Sequence, residues 1–131
     1  MNNPPLVLII DDEENFREIF SIKLQEVGYK VETAVNGELG YQTAKKTKPD
    51  LILMDMEMPV LNGAGATMKL REDEETKNIK IVFLTNYGDP RMEMREADIH
   101  FSKEIGANDY LKKTDDLDRI AEKVKTILST S

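Results

Sequence analysis

The side chains best suited to chemistry in this 131-residue chain sit directly after short apolar runs. Asp11, Asp12 and Glu13 follow the run Leu6–Ile10. Asp55 follows the run at 51–54, Thr85 follows 81–84, and Lys112 and Lys113 follow Tyr110 and Leu111. Carboxylates gathered in one place repel, and the repulsion must be met by a shared proton, a cation or a lysine. A hard divalent cation is the economical answer, because Mg2+ takes one or two carboxylates and keeps water or phosphate oxygens as its other ligands. A lysine adds mobile positive charge, and a threonine hydroxyl donates to an anionic oxygen. Phosphoryl transfer needs mainly positioning and charge neutralisation. An aspartate can itself be the nucleophile, which gives an aspartyl phosphate.

Whether these residues meet depends on the segments between them. Short apolar runs alternate with helical patterns, the mark of βαβ units on a parallel sheet. The continuous run at Leu6–Ile10 fits a strand buried on both faces, and the runs at 51–54 and 81–84 repeat it. A second strand is predicted at 31–35, closed by the turn-forming Asn36-Gly37. A short fifth begins at Tyr110. Between the first two strands, Phe16, Ile19, Phe20, Leu24 and Val27 recur at helical spacing, with Asn15 as the expected cap and Gly28 as the stop. A weaker helix covers 38–47, where Gly40 costs about 1 kcal/mol relative to Ala and Tyr41 and Ala44 supply the packing. A third follows Gly63 through Leu70 with small inward residues, Ala64 and Ala66. A fourth is predicted from 90 to about 104. The last places Leu117, Ile120, Ala121, Val124, Ile127 and Leu128 on one stripe.

Five such units predict an α/β fold: a doubly wound five-stranded parallel sheet in the flavodoxin-like order 2-1-3-4-5, with helices on both faces. Strands 1 and 3 are then neighbours at the topological switch point, and ligands bind beyond the carboxyl ends of the strands. Asp11, Asp12 and Asp55 converge there, with Thr85 and Lys113 alongside.

Composition narrows the field. The 18 basic and 25 acidic residues give a formal charge of −7, against direct nucleic-acid binding and against an anionic membrane surface. There is no cysteine, hence no thiol chemistry, which fits a reducing cytoplasm. The run Leu6–Ile10 is too short to span a bilayer, and no signal peptide is expected. Without repeats or linker-like tracts, one domain over 1–131 with a core at about 5–129 is expected.

Each piece also has a plain structural reading. An acidic pair after a strand often only suits a helix macrodipole; its combination with Asp55 and Lys113 favours a site. Lys112 reads as a solvent-facing neighbour, His100 as a surface residue, and Met54, Met56, Met58, Met92 and Met94 as packing or surface residues. A flavodoxin-like cofactor site would want a Ser-, Thr- or Gly-rich loop after strand 1. A phosphatase with its nucleophile after strand 1 leaves Asp55 unexplained.

The segments LVLIIDDEENFREIF, PDLILMDMEMPVLNG, VFLTN and GANDYLKK, in that order, resemble the receiver domain of two-component response regulators over essentially the whole chain. The likeness is to single-domain, chemotaxis-type members. The resemblance implies Asp55 as phosphoacceptor, Asp12 as a direct Mg2+ ligand, Asp11 assisting through water, and the Glu57 backbone carbonyl as a further ligand. It implies that Thr85 and Lys113 hold the phosphoryl oxygens and that Tyr110 is an aromatic switch. It further implies a sensor histidine kinase or phosphotransfer protein as donor, a downstream protein or output domain as target, and a cytoplasmic location. Function then means a phosphorylation-dependent switch, not a classical enzyme, working on the surface around 90–104, the fifth strand and the last helix. The alternative is a pseudo-receiver that binds partners without turning over phosphate. Four features depart from the family. Glu57 places a third carboxylate side chain at the rim of the site, which bears on the lifetime of the phosphoryl group. Thr114 stands where a cis proline is usual; cis before a non-proline costs about 2.5–4 kcal/mol, so a trans Lys113–Thr114 bond is expected. Asn86 replaces a smaller residue, narrowing access to Asp55. The interval from Thr85 to Tyr110 is longer than usual by at least a turn of helix.

Overall fold

Period-two alternation sorts the strand residues between two cores in the computed structural model, which describes residues 1–85 and 109–129, with backbone alone at 109 and 110. Strands β1 (Leu6–Ile10), β2 (Lys30–Ala34), β3 (Leu51–Asp55), β4 (Lys80–Thr85) and β5 (Asp109–Lys112) form one parallel sheet in the order β2-β1-β3-β4-β5. This is the order expected from the sequence. Val7, Ile9, Leu51, Leu53, Val82, Leu84 and Leu111 share one core with α1 (Glu14–Glu26) and α4 (Leu117–Ser129). Leu8, Ile10, Ile52, Met54, Ile81 and Phe83 share the other with α2 (Gly37–Thr47) and α3 (Gly63–Glu72). Burying each large side chain contributes roughly 1.5–3 kcal/mol. The helix expected over 90–104, Asn86, Met92, Met94, His100 and the Tyr110 side chain lie outside the described residues.

Three local expectations are corrected. Asn15 does not cap α1: the helix starts at Glu14, and Glu13 holds the cap position without a side-chain cap bond. The entry is organised by Asp11, whose Oδ1 accepts the Glu13 N–H at 2.8 Å. Ile19 and Val27 do not face the core, being 51% and 46% exposed. The helix meets the sheet along Phe16, Phe20 and Leu24 only. Asn36 does not turn the chain with Gly37 but caps α2, its Oδ1 accepting the Leu39 N–H at 2.9 Å.

Gly40 is a packing residue. A Cβ there would lie 2.4 Å from the Ile10 side chain, so its absence lets α2 settle on β1. Helices α2 and α3 are further tied by Lys69 to Glu38 at 2.5 Å. Asp73, just past α3, accepts from the Tyr41 hydroxyl at 2.5 Å and pairs with Lys45 at 3.2 Å.

The link from β3 to α3 is tighter than its length suggests. The Leu61 N–H donates to Pro59 O at 2.8 Å, which centres a three-residue turn on Val60 at φ 72°. A β-branched residue is strained in this region, and Val60 is 81% exposed, with little packing to offset it. Asn62 then caps α3, accepting the Gly65 N–H at 2.8 Å. Gly63 opens the helix against the end of β3: a Cβ there would stand 2.5 Å from Asp55 O. Two substitutions three residues apart should therefore act in opposite directions. Val60→Gly should raise the urea midpoint, since about 1–2 kcal/mol of left-handed strain outweighs the entropy cost of glycine. Gly63→Ala should destabilise by about 1–3 kcal/mol, despite placing a good helix former in the first turn. A neutral Gly63→Ala in urea denaturation would contradict the close contact.

Candidate functional site

The carboxyl ends of four strands deliver the expected residues to one place. Asp11 follows β1 and donates its N–H to Ala34 O at 3.1 Å. Asp55 is the last residue of β3, in register with Leu84. Thr85 ends β4 opposite Lys112, and the Lys113 N–H donates to Thr85 O at 2.7 Å. Alternation along β5 leaves Lys112 exposed, as expected, and turns Lys113 inward.

One oxygen from each of Asp11, Asp12 and Asp55 lies within 4.8 Å of the others. Asp11 is fully buried and Asp55 is 6% exposed, while Asp12 is exposed. The Lys113 ammonium lies 2.8 Å from Asp11 Oδ2, 2.7 Å from Glu13 Oε1 and 3.9 Å from Asp55 Oδ2. It also sits 4.5 Å from the centre of the Phe16 ring, a favourable cation–π position. Apart from that ammonium, Asp11 Oδ2 has no donor among the described residues. The Thr85 hydroxyl is buried and donates to Leu111 O across 3.5 Å. Glu57 lies two residues past Asp55 and is exposed, as is Thr114. The Lys113–Thr114 bond is trans, since the cis peptide among the described residues is Asn3–Pro4.

These carboxylates do not behave as ordinary ones. Burial pushes the Asp55 carboxyl up to about 7 and the Asp11 charge adds to it; Lys113 opposes the rise, and Asp12 adds again by charge and hydrogen bond. Asp11 is raised as well, chiefly by burial, against the pull of Lys113. Burial draws the Lys113 ammonium down, but its bonds to Asp11 and Glu13 outweigh this and its affinity for the proton is raised. The described site thus sets three carboxylates, Asp11, Glu13 and Asp55, around one lysine, with Asp12 beside Asp11 and Asp55. An all-oxygen donor set with surplus negative charge fits a hard divalent cation, and such an ion would relieve the repulsion that raises Asp55.

Two contributors escaped the sequence reading. Glu13 stood out as part of an acidic run, yet its reach to Lys113 depends on the placement of β5. Phe16 stood out only as a core residue. Among the described residues, no helix is long and apolar enough to cross a membrane.

Residues 7–125 match the model of the response regulator receiver domain. Protein PilH of Pseudomonas aeruginosa is 34% identical over 123 residues, covering 94% of this chain and 97% of that one. The transcriptional regulator RpaA of Synechocystis is 35% identical over 124 residues, covering 95% of this chain and 49% of that one. The chain therefore spans about half the length of RpaA and of several other curated relatives. Among solved structures, the Vibrio cholerae chemotaxis protein CheY4 superposes with a TM-score of 0.82 at 28% identity, covering 94% of this chain and 98% of that one. The receiver domain of a Pseudomonas aeruginosa sensor histidine kinase, solved with a magnesium ion coordinated in its active-site cleft, superposes with a TM-score of 0.81 at 25% identity, covering 96% and 98%. With its strand order, its acidic cluster and a match along nearly its whole length, the chain belongs to the response regulator receiver domain family of two-component signalling.

Proposed function

We propose that this receiver domain is a phosphorylation-dependent switch whose phosphoacceptor is Asp55. The observation that carries the reading is one cluster: a buried Asp55 at the end of a central strand, oxygens of Asp11 and Asp12 within 4.8 Å, and the Lys113 ammonium 3.9 Å away. Asp12 and Asp55 would hold Mg2+, with Asp11 assisting and the Glu57 carbonyl as a further ligand, and the ion would supply positive charge to offset that of the phosphoryl oxygens.

The chain's own residues do the rest. An ionised Asp55 oxygen attacks phosphorus; the new O–P bond forms as the bond to the donor's phosphohistidine nitrogen breaks, and the imidazole leaves with the electron pair. Lys113 pairs with the transferred oxygens and Thr85 donates its hydroxyl to one of them. The domain assists its own phosphoryl transfer and loss. Phosphorylation replaces the single charge of the Asp55 carboxylate with about −2 carried further out on the phosphoryl oxygens, and this draws Thr85 and Lys113 inward. It biases the surface around 90–104, β5 and α4, with Tyr110 following the change. A sensor histidine kinase or phosphotransfer protein is the donor, and a downstream protein or an output domain reads the switch in the cytoplasm.

Incubation with Mg2+ and acetyl phosphate should add one base-labile phosphoryl group, read by intact mass. Asp55→Asn should abolish the label, and Lys113→Ala should slow its appearance by about 10-fold or more. Labelling of Asp55→Asn at the wild-type rate would contradict the assignment. No labelling of wild type would leave a pure binding module.

The pH dependence carries a definite sign. Asp55 is raised to about 7, so its contribution to stability is present at low pH and is lost as pH rises through 7. Metal-free protein should thus be less stable at about pH 8 than at about pH 6 on this account, and Asp55→Asn should flatten the difference. Mg2+ must displace the proton, so its affinity should climb with pH and level off above about 7. Calorimetric titration in two buffers of different ionisation enthalpy should detect that proton release.

A further inference from the structure

We propose that Glu13 is a latch on Lys113, competing with the phosphoryl group for this ammonium and so setting how firmly a phosphorylated Asp55 is held. The inference rests on Asp55 being the phosphoacceptor. Lys113 Nζ is shared between Asp11 Oδ2 at 2.8 Å and Glu13 Oε1 at 2.7 Å, and stands off from Asp55 Oδ2 at 3.9 Å. Its resting position is thus set by two carboxylates other than the acceptor.

The two partners differ in freedom. Asp11 is fully buried, and its other oxygen is fixed by the Glu13 N–H at 2.8 Å. Its position is built into the end of β1. Glu13 has a side chain that is 60% exposed. It occupies the cap position of α1 but makes no capping bond with its side chain. Instead its carboxylate reaches a residue 100 positions away. The Phe16 ring closes another side of the ammonium at 4.5 Å. Of the charged groups holding Lys113 among the described residues, Glu13 is the one with an exposed side chain, free to swing into solvent when the lysine moves.

Oxygens carried on a phosphorylated Asp55 become a further anionic partner for Nζ, which stands 3.9 Å from Asp55 Oδ2, and pairing with them competes with its hold on Glu13. The Glu13 bond stabilises the resting arrangement only. By linkage, whatever it contributes there is subtracted from the affinity of the site for a phosphoryl group. A half-exposed pair contributes modestly, equivalent to about a two- to fivefold factor. Glu13 is a positioning residue in this account, since it acts through Lys113.

The test uses the full chain with saturating Mg2+, titrated with beryllium fluoride, a tetrahedral phosphoryl mimic, in a calorimeter. Glu13→Gln should bind the mimic about two- to fivefold more tightly than wild type. Glu14→Gln removes the same charge one residue on, from an exposed side chain that is not a partner of Lys113, and should bind as wild type does. An equal gain from Glu14→Gln would assign the effect to net charge and overturn the latch. Unchanged or weaker binding by Glu13→Gln, with wild type binding normally, would overturn the latch alone. Absence of both mimic binding and acetyl phosphate labelling in wild type would overturn the phosphoacceptor reading and the latch with it.

Discussion

Mutual repulsion among carboxylates is the constraint around which this molecule is organised. Asp11 and Asp55 are buried, and with Asp12 they bring three oxygens within 4.8 Å. Left to themselves such groups would separate or take up a proton. The sheet prevents separation. β1 and β3 are hydrogen-bonded neighbours in fixed register, and apolar cores on both faces hold them there. Burial, with the repulsion added to it, therefore appears as raised proton affinity at Asp55 and at Asp11. A site under that tension accepts positive charge readily, whether from Lys113, a metal ion or a proton.

What was legible in the sequence follows from the range of the forces involved. Strand runs could be read because both faces of a central parallel strand are buried, which leaves no polar positions at 6–10 or 51–54. The acidic and basic residues could be placed because they sit at the ends of those runs, and strand ends in this topology share one edge. The details that failed depend on contacts distant in sequence. Asn15 lost the cap to an arrangement dictated by Asp11. Ile19 has helical spacing but faces away, because α1 touches the sheet along a narrower line than its pattern allows. Gly40 looked like a cost and is a fit, visible only once Ile10 is beneath it. Glu13 could not be paired with Lys113 before β5 had been set in register against β4.

The two sides of the domain differ in how they are held. On the α2–α3 side, glycine and alanine bring the helices close to the sheet, and Lys69–Glu38 and Tyr41–Asp73 tie them together. Tyr41, by its hydroxyl bond, keeps the Asp73 carboxyl down near 2, with the Glu75 N–H and Lys45 assisting. That tie stays ionised at any physiological pH. On the other side, the site's lysine rests between an immobile carboxylate and a solvent-facing one.

Gly63 gives this asymmetry a mechanical meaning. By carrying no side chain it lets the first turn of α3 sit against the carbonyl of Asp55, whose strand is already flanked by β1 and β4. Asp55 is thus a fixed post. β3 is held in register by β1 and β4, so charge added at Asp55 acts on the lysine just past β5, whose ammonium stands 3.9 Å away. That strand is one of the two edges of the sheet and pairs with β4 alone among the described strands. On the proposed reading of Asp55, a signal written on the central strand passes sideways to the ends of the neighbouring strands rather than along the strand that received it.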